Sequence, residues 1–359
     1  MLVHICCSVD SHFFLQKLQQ TYPNEPLVGF FYDPNIHPFS EYQLRLLDVR
    51  RSCHSLGIAL YEGAYDYEAW IKAVEGLEEE PEKGKRCLVC FDERLIKSAQ
   101  KAVELGEKTL TTTLLTSPKK AFNQLQEALE NIANTYGLDV ISPDFRKAGG
   151  TQEQFAIAKS AQLYHQDYCG CMFALKKQRD QQERWADELC SPIRPQILPS
   201  SIEERLALYE QVFAYEKANK PFKLRQEKFL NYRLLWAKVG LFDKVLPSYF
   251  LFYSTFKKER TKAKVEYIDH EKAYLTKETI CLISIKTFNA LAHTSYQNVK
   301  ELLFSPPSIA LEIALRRALS PFDLMSLTPI VVLDEIDEKG EYIFEICTKT
   351  YTDIREVLV

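Results

Sequence analysis

Short apolar runs alternate with longer amphipathic stretches through the first half of the chain. MLVHIC (1–6) and PLVGFFY (26–32) are separated by a helical stretch, His12–Gln20. The unit then repeats: a helix over 41–55 precedes GIALYE (57–62), one over 91–105 precedes KTLTTTLL (108–115), and one over 122–136 precedes DVIS (139–142). Short strands spaced by helices of this length predict an α/β domain, a parallel sheet with helices on both faces, whose ligands lie beyond the carboxyl ends of the strands. Further helices are expected near 151–165 and up to about residue 190. The proline- and serine-rich SPIRPQILPSS (191–201) reads as a linker, dividing the chain into domains 1–190 and 202–359. Beyond it the pattern predicts a helical stretch over 202–243, strands at 279–285, 329–334 and 342–348, and a helix at 308–319: a smaller α+β domain closed by a hairpin at IDEKGEY.

At 359 residues the chain is long for one core, and its 46% hydrophobic and 26% charged residues are those of an ordinary globular protein. A formal net charge of −4 offers no general attraction to nucleic acid, so any RNA contact must come from local patches. No segment approaches the roughly 18 uncharged apolar residues of a membrane helix, and the N-terminus has no basic stretch leading into an apolar one; a cytoplasmic location without membrane attachment is expected. In a reducing compartment ten cysteines are read as metal ligands, reactive thiols or core residues before disulfides.

Six of those cysteines fall in three tight pairs: Cys6-Cys7 after the first strand, Cys87 and Cys90 in C-x-x-C, and Cys169 and Cys171 in C-x-C. The rim of a parallel sheet can gather such pairs. A tetrahedral zinc or a four-iron cluster takes four thiolates, which leaves two that, with Asp10, can hold a second metal ion or act directly. A zinc site that only staples the fold is the competing reading, although a domain of this size buries enough core to fold unaided. Of the rest, Cys53 shares a helical stripe with Tyr42, Leu46 and Val49, and Cys281 shares a strand face with Ile283 and Ile285. These two read as core; Cys190 and Cys347 have no nearby partner in sequence.

Residues 1–177 resemble the QueH family of epoxyqueuosine reductases through HICCSVDS (4–11), FYDPNIHP (31–38) with Tyr42 and Arg45, CLVCFDERL (87–95), TTTLLTSPKK (111–120), DFRKAGG (144–150) and QDYCGCMFAL (166–175). The resemblance implies an adenine-nucleotide α-hydrolase-like (HUP-like) fold in which CCSVDS replaces the glycine-containing phosphate loop of relatives, so that metal ligation takes the place of ATP binding. It implies the two-electron deoxygenation of epoxyqueuosine to queuosine at the wobble position of tRNA, without cobalamin. On that basis a [4Fe-4S] cluster and an additional mononuclear iron are expected, with an unidentified electron donor. The metal set is Cys6, Cys7, Cys87, Cys90, Cys169, Cys171 and Asp10, with Cys6, Cys7 and Asp10 also acting in catalysis. Asp10 is expected on the second metal or as a proton donor, against a plain role capping the helix that follows.

For the substrate, Tyr32, Asn35 and His37 are expected to meet the modified base, and Thr112 and Arg146, with neighbouring Lys119, Lys120 and Lys147, to suit phosphates. Gly149-Gly150 allows close approach. The segment 217–238 interleaves Lys and Arg with Phe222, Phe229, Tyr232 and Trp236, either a tRNA grip or, as the helical spacing suggests, a core stripe under a basic face. The alternatives to a reductase are a zinc-stapled tRNA-binding protein and a nucleotide-dependent tRNA thiolation-type enzyme.

Overall fold

The computed structural model describes residues 1–118, 120–189, 196–269, 271–275, 280–319 and 327–359. Cys190, the first five residues of the expected linker (191–195), Lys119 and the first residue of the strand expected at 279–285 lie outside the described residues. Two compact units are formed, Met1–Cys190 with Arg205–Leu224 and Leu358–Val359, and Ser191–Glu204 with Arg225–Val357.

The first unit runs β1 (Leu2–Ile5), α1 (Ser8–Thr21), β2 (Val28–Phe31), α2 (Phe39–Ser55), β3 (Ala59–Glu62), α3 (Tyr67–Ala73), α4 (Lys85–Glu104), β4 (Thr109–Thr112), α5 (Phe122–Tyr136), β5 (Asp139–Val140), α6 (Gly150–Ser160) and α7 (Met172–Gln181). The strands form one parallel sheet in the order β3-β2-β1-β4-β5. Central β1 is buried along its whole length because helices cover both faces, whereas β3 at the edge is largely exposed. In α5 the buried residues Leu125, Leu129, Ile132 and Ala133 make one stripe, and the helix stops at Gly137, whose φ of 67° is the left-handed conformation that glycine adopts freely. The chain leaves β1 for β2 on one side and later adds β4 on the other, so the sheet's switch point lies beyond the carboxyl ends of β1 and β4.

The segment Arg205–Leu224 belongs to this first unit and carries most of α8 (Ile202–Lys217). Tyr209 is buried edge-on against Tyr164, with ring centroids 5.6 Å apart, and Arg51 donates to Glu216 at 2.6 Å.

The second unit contains β6 (Leu224–Leu241), β7 (Lys244–Leu246), β8 (Ser248–Phe250), β9 (Arg260–Asp269), β10 (Lys272–Leu275), β11 (Ile280–Ser284), α9 (Ile285–Ala292), α10 (Val299–Phe304), α11 (Ile309–Leu319), β12 (Ile330–Leu333) and β13 (Glu341–Leu358). Its mixed sheet has the order β7-β6-β13-β9-β10-β11-β12-β8. Alternation in β11 and β12 sends Leu282 and Val331 into one core with Tyr342 and Phe344, and Ile283 and Val332 into another with Phe288, Leu302 and Leu315 from the helices.

Two expectations fail here. The helix expected through residue 243 ends at Lys217, and Leu224–Leu241 is an 18-residue strand. Its aromatics therefore do not form a helical stripe: Tyr232 is buried, Trp236 exposed, and Ala237, Val239 and Leu241 enter the core at strand spacing. Lys, Arg and Leu favour helices locally, but pairing in the sheet overrides that preference. The expected closing hairpin is also absent, because β12 pairs with β11 and β8 while β13 pairs with β9. No helix among the described residues is long and apolar enough to cross a membrane.

Candidate metal centre

A cavity of about 290 Å³ opens at the switch point of the parallel sheet. Cys6, Asp10, Cys87, Cys90, Cys169 and Cys171 all line it. Each pair arrives by a different route. Cys6 ends the run after β1 and Cys7 occupies the cap position of α1; Cys87 and Cys90 sit in the first two turns of α4; Cys171 caps α7. Cys53 and Cys281 are buried in the cores instead, and Cys347 lies partly buried on β13.

Cys6, Cys7 and Asp10 form the tightest group, with one ligand atom from each lying within 4.8 Å of the others. The Cys6 and Cys7 sulfurs are 3.8 Å apart, and Cys6 Sγ is also 3.8 Å from Thr113 Oγ1. The Cys6 thiol beside it, burial and the Asp10 carboxylate together hold the Cys7 thiol well above its usual pKa. Asp10 stands in the first turn of α1, but its side chain serves no capping bond: Gln154 Nε2 donates to Asp10 Oδ1 at 2.7 Å. Burial raises the Asp10 pKa, opposed by hydrogen bonds from Cys7 and Gln154 and by the charge of Lys120.

Gln154 reaches Asp10 because of the turn before α6. Gly149 has φ 88°, and a Cβ on Gly150 would lie 1.8 Å from the Phe145 carbonyl oxygen. Gly150 thus serves close approach of backbone to backbone, and Gly149 supplies the left-handed turn before it. Sequence reasoning found the glycines and missed Gln154, whose only local signal is its place one turn into the helix they begin.

The thiols are matched by two cations, buried Arg94 and half-buried Lys120. Arg94 follows Cys90 by four residues on α4, which puts both on one helix face, a spacing that marks the guanidinium in sequence. It forms a buried ion pair with Asp33; burial works against its charge, and Asp33, Cys90 and Cys6 outweigh this to raise its pKa. Lys120 behaves likewise: burial pulls its pKa down, but the Cys169, Cys87 and Cys90 sulfurs raise it on balance. Cys169 is pushed well below the usual thiol range by its hydrogen bond with Cys171, with further help from Lys120. The backbone N–H of Lys83 donates to Cys87 Sγ at 3.3 Å.

The loop carrying Cys169 is clamped to the one after β2. His37 N donates to the Gly170 carbonyl at 2.9 Å, Asn35 Nδ2 to the Cys169 carbonyl at 3.4 Å, and Arg45 Nη2 to the Tyr168 carbonyl at 3.0 Å. Gly170 has φ 102°, and a Cβ there would come within 2.7 Å of Ile36. Buried Asn35 lines the cavity, and its Oδ1 has no hydrogen-bond partner among the described residues.

The other residues expected to meet substrate are placed differently. Tyr32 is buried and donates from its hydroxyl to Asp66 at 3.2 Å. His37 stacks on Tyr67 with centroids 4.9 Å apart. Thr112 is fully buried, its hydroxyl engaged by His4 Nδ1 at 2.8 Å and by Leu114 N at 3.2 Å. Arg146 donates to Asp144 at 2.9 Å and lies 4.9 Å over the Phe122 ring. None of these four lines the cavity. Leu114, Ser117, Pro118 and Lys120 do, so the TTTLLTSPKK block lines the cavity mainly through its second half, while Thr113 meets Cys6.

The family model described as epoxyqueuosine reductase QueH matches residues 1–177. Epoxyqueuosine reductase QueH of Helicobacter pylori is 42% identical over 359 residues, covering 96% of this chain and 96% of that protein. The proteins of the same name from Histophilus somni (36% identical, 49% of this chain, 72% of that one) and Thermotoga maritima (33% identical, 50% of this chain, 92% of that one) match about half of this chain. Among solved structures, the U34-tRNA thiolase NcsA from Methanococcus maripaludis with its [4Fe-4S] cluster aligns at TM-score 0.34 and 15% identity over 60% of this chain and 73% of that one, a likeness too weak to argue from.

Proposed function

From the premise that this chain belongs to the epoxyqueuosine reductase QueH family, we propose that its reaction, the reduction of epoxyqueuosine to queuosine in tRNA, takes place in the cavity at the switch point of the parallel sheet. The observation that carries this reading is the convergence of thiols from three distant stretches of chain, with Asp10, on one cavity.

The donor set suits iron. Cys87, Cys90, Cys169 and Cys171 supply the four thiolates a [4Fe-4S] cluster takes, and the compact Cys6, Cys7 and Asp10 group supplies two sulfurs and an oxygen for a mononuclear iron. Such a centre, when bound, supplies electrons at low potential and a Lewis acid for the epoxide oxygen. No cobalamin is invoked. Opening the epoxide to an alkene consumes two electrons and two protons and releases the oxygen as water, so an external electron donor must reload the centre.

The chain's own groups do the rest. Arg94 and Lys120 offset the negative charge of the thiolates, and Asp33 fixes Arg94 in place. Gln154 holds Oδ1 of Asp10 and so orients the carboxylate, which would exchange its hydrogen bonds with Cys7 and Ser117 for the second ion or carry a proton to the leaving oxygen. Asn35 offers an unsatisfied acceptor to the hydroxyls or N–H groups of the modified base.

The test is anaerobic. Protein purified without oxygen and reduced is incubated with epoxyqueuosine-bearing tRNA, and the nucleosides are analysed by mass. Loss of one oxygen from the modified base is expected, and Cys6→Ala and Cys171→Ala should abolish it. A colourless protein carrying zinc and leaving the base unchanged would overturn the assignment.

A further inference from the structure

We propose that Phe155 and His165, on the wall of this cavity, form the platform on which the substrate nucleobase stacks, with Gln166 Oε1 accepting from the base's N–H edge. The proposal rests on the reading of the cavity as the reductase site and adds how the base is held there.

A base modified inside a protein cavity must leave its own stack, and the stacking lost is commonly replaced by an aromatic side chain. Phe155 is suited to that exchange. It lines the cavity and keeps 40% of its surface exposed, so its ring is open to a partner. Its ring centroid lies 5.7 Å from that of His165, which lines the cavity too, so two rings present themselves together. Phe155 also follows Gln154 directly in α6, and Gln154 is the residue bonded to Asp10. The helix that fixes the carboxylate therefore fixes the ring, tying the base's position to that of the reacting group.

The polar lining supports the same occupant. Gln166 Oε1 and Asn35 Oδ1 are buried acceptors without a partner among the described residues, and both side chains line the cavity. The orientation of Asn35 is set, since its Nδ2 donates to a carbonyl. Arg45, Arg86, Arg94 and Lys120 bring donors to the lining, and Asp10, Glu82 and Asp167 bring carboxylates. A guanine-type base brings what is missing, a ring N–H beside an exocyclic amine, together with a carbonyl for the cations. Leaving buried acceptors unpaired is costly, so they discriminate against a base lacking those donors.

The experiment uses the full chain, loaded with iron without oxygen, and epoxyqueuosine-bearing tRNA, measuring equilibrium binding, KM, kcat and iron per chain. Phe155→Ala should raise Kd and KM by roughly ten- to a hundredfold, the range found when a base-stacking aromatic is truncated, with iron content unchanged. Phe155→Leu keeps apolar bulk without a π face and should show the same loss, while Phe155→Trp restores binding. Gln166→Leu should raise KM by about tenfold. Wild-type Kd and KM in both Phe155→Ala and Phe155→Leu would overturn the platform. Tight, Phe155-dependent tRNA binding by a wild-type protein that never deoxygenates the base would instead overturn the reductase site while sustaining the platform.

Discussion

Gln154 and Asp10, separated by 144 residues in sequence, are joined by a 2.7 Å hydrogen bond between buried side chains. The bond orients the carboxylate, and residues that orient a metal ligand typically govern affinity and rate by about 10- to 100-fold. Gln154→Leu should therefore lower both iron per chain and the rate of queuosine formation within that range. Metal analysis and product nucleoside assays check this; unchanged iron and rate would show that Asp10 needs no support.

Lys120 places a positive charge beside Cys169, Cys87 and Cys90. Positive charge near a cluster favours its reduced form. Lys120→Met should make the centre harder to reduce, by on the order of tens of millivolts. An anaerobic redox titration followed by visible absorbance measures the shift, and a potential unchanged or more positive would contradict it.

Gly149 and Gly150 are adjacent but demand opposite things. Space around Gly149 is open and its φ of 88° is the constraint, whereas Gly150 has the Phe145 carbonyl where a Cβ would stand. Gly150→Ala should cost at least about 2 kcal/mol and lower iron content, because the strain falls on the helix that carries Gln154. Gly149→Asn should be milder, since asparagine tolerates positive φ. Denaturant melts of the two variants separate the cases.

In the second unit Glu312 is buried and accepts from Tyr249 Oη at 2.6 Å and Phe252 N at 2.7 Å. Burial pushes its pKa up to about 7, against hydrogen bonds from Tyr249, Phe252 and Gln196 and the charge of Arg316. A carboxyl with a raised folded-state pKa holds its proton longer when folded than when unfolded. Its contribution is present below the unfolded pKa and is lost as pH rises through about 7, up to about 3 kcal/mol in all. Melting temperatures between pH 5 and 7.5 should fall with pH in the wild type and flatten in Glu312→Gln; an equal slope in both would remove Glu312 as the cause.

Local periodicity and spacing were enough to read the first unit. Cys87 and Cys90 are one helical turn apart and Cys169 and Cys171 two residues apart, so each pair has the spacing a chelate needs wherever it lands. The alternation of strands and helices fixed a parallel sheet whose rim could collect them. Similar reasoning separated Cys53 and Cys281, which carry the period of a buried face.

Contacts between distant segments were decided by tertiary structure. Thr112 was expected at a phosphate, but its neighbour β1 brings His4 alongside and engages the hydroxyl. Arg146 was expected there too, but a local contact with Asp144, two residues away, holds it instead. Leu224–Leu241 has the composition of a helix and becomes a strand because β13, more than a hundred residues on, pairs with it. The amino-acid sequence by itself determined which residues could serve as ligands, since that is set by side-chain chemistry and short-range geometry. Which of them meet, and that Gln154 and Lys120 attend them, followed from strand order and packing, which depend on energies summed over the whole chain rather than on any one stretch of it.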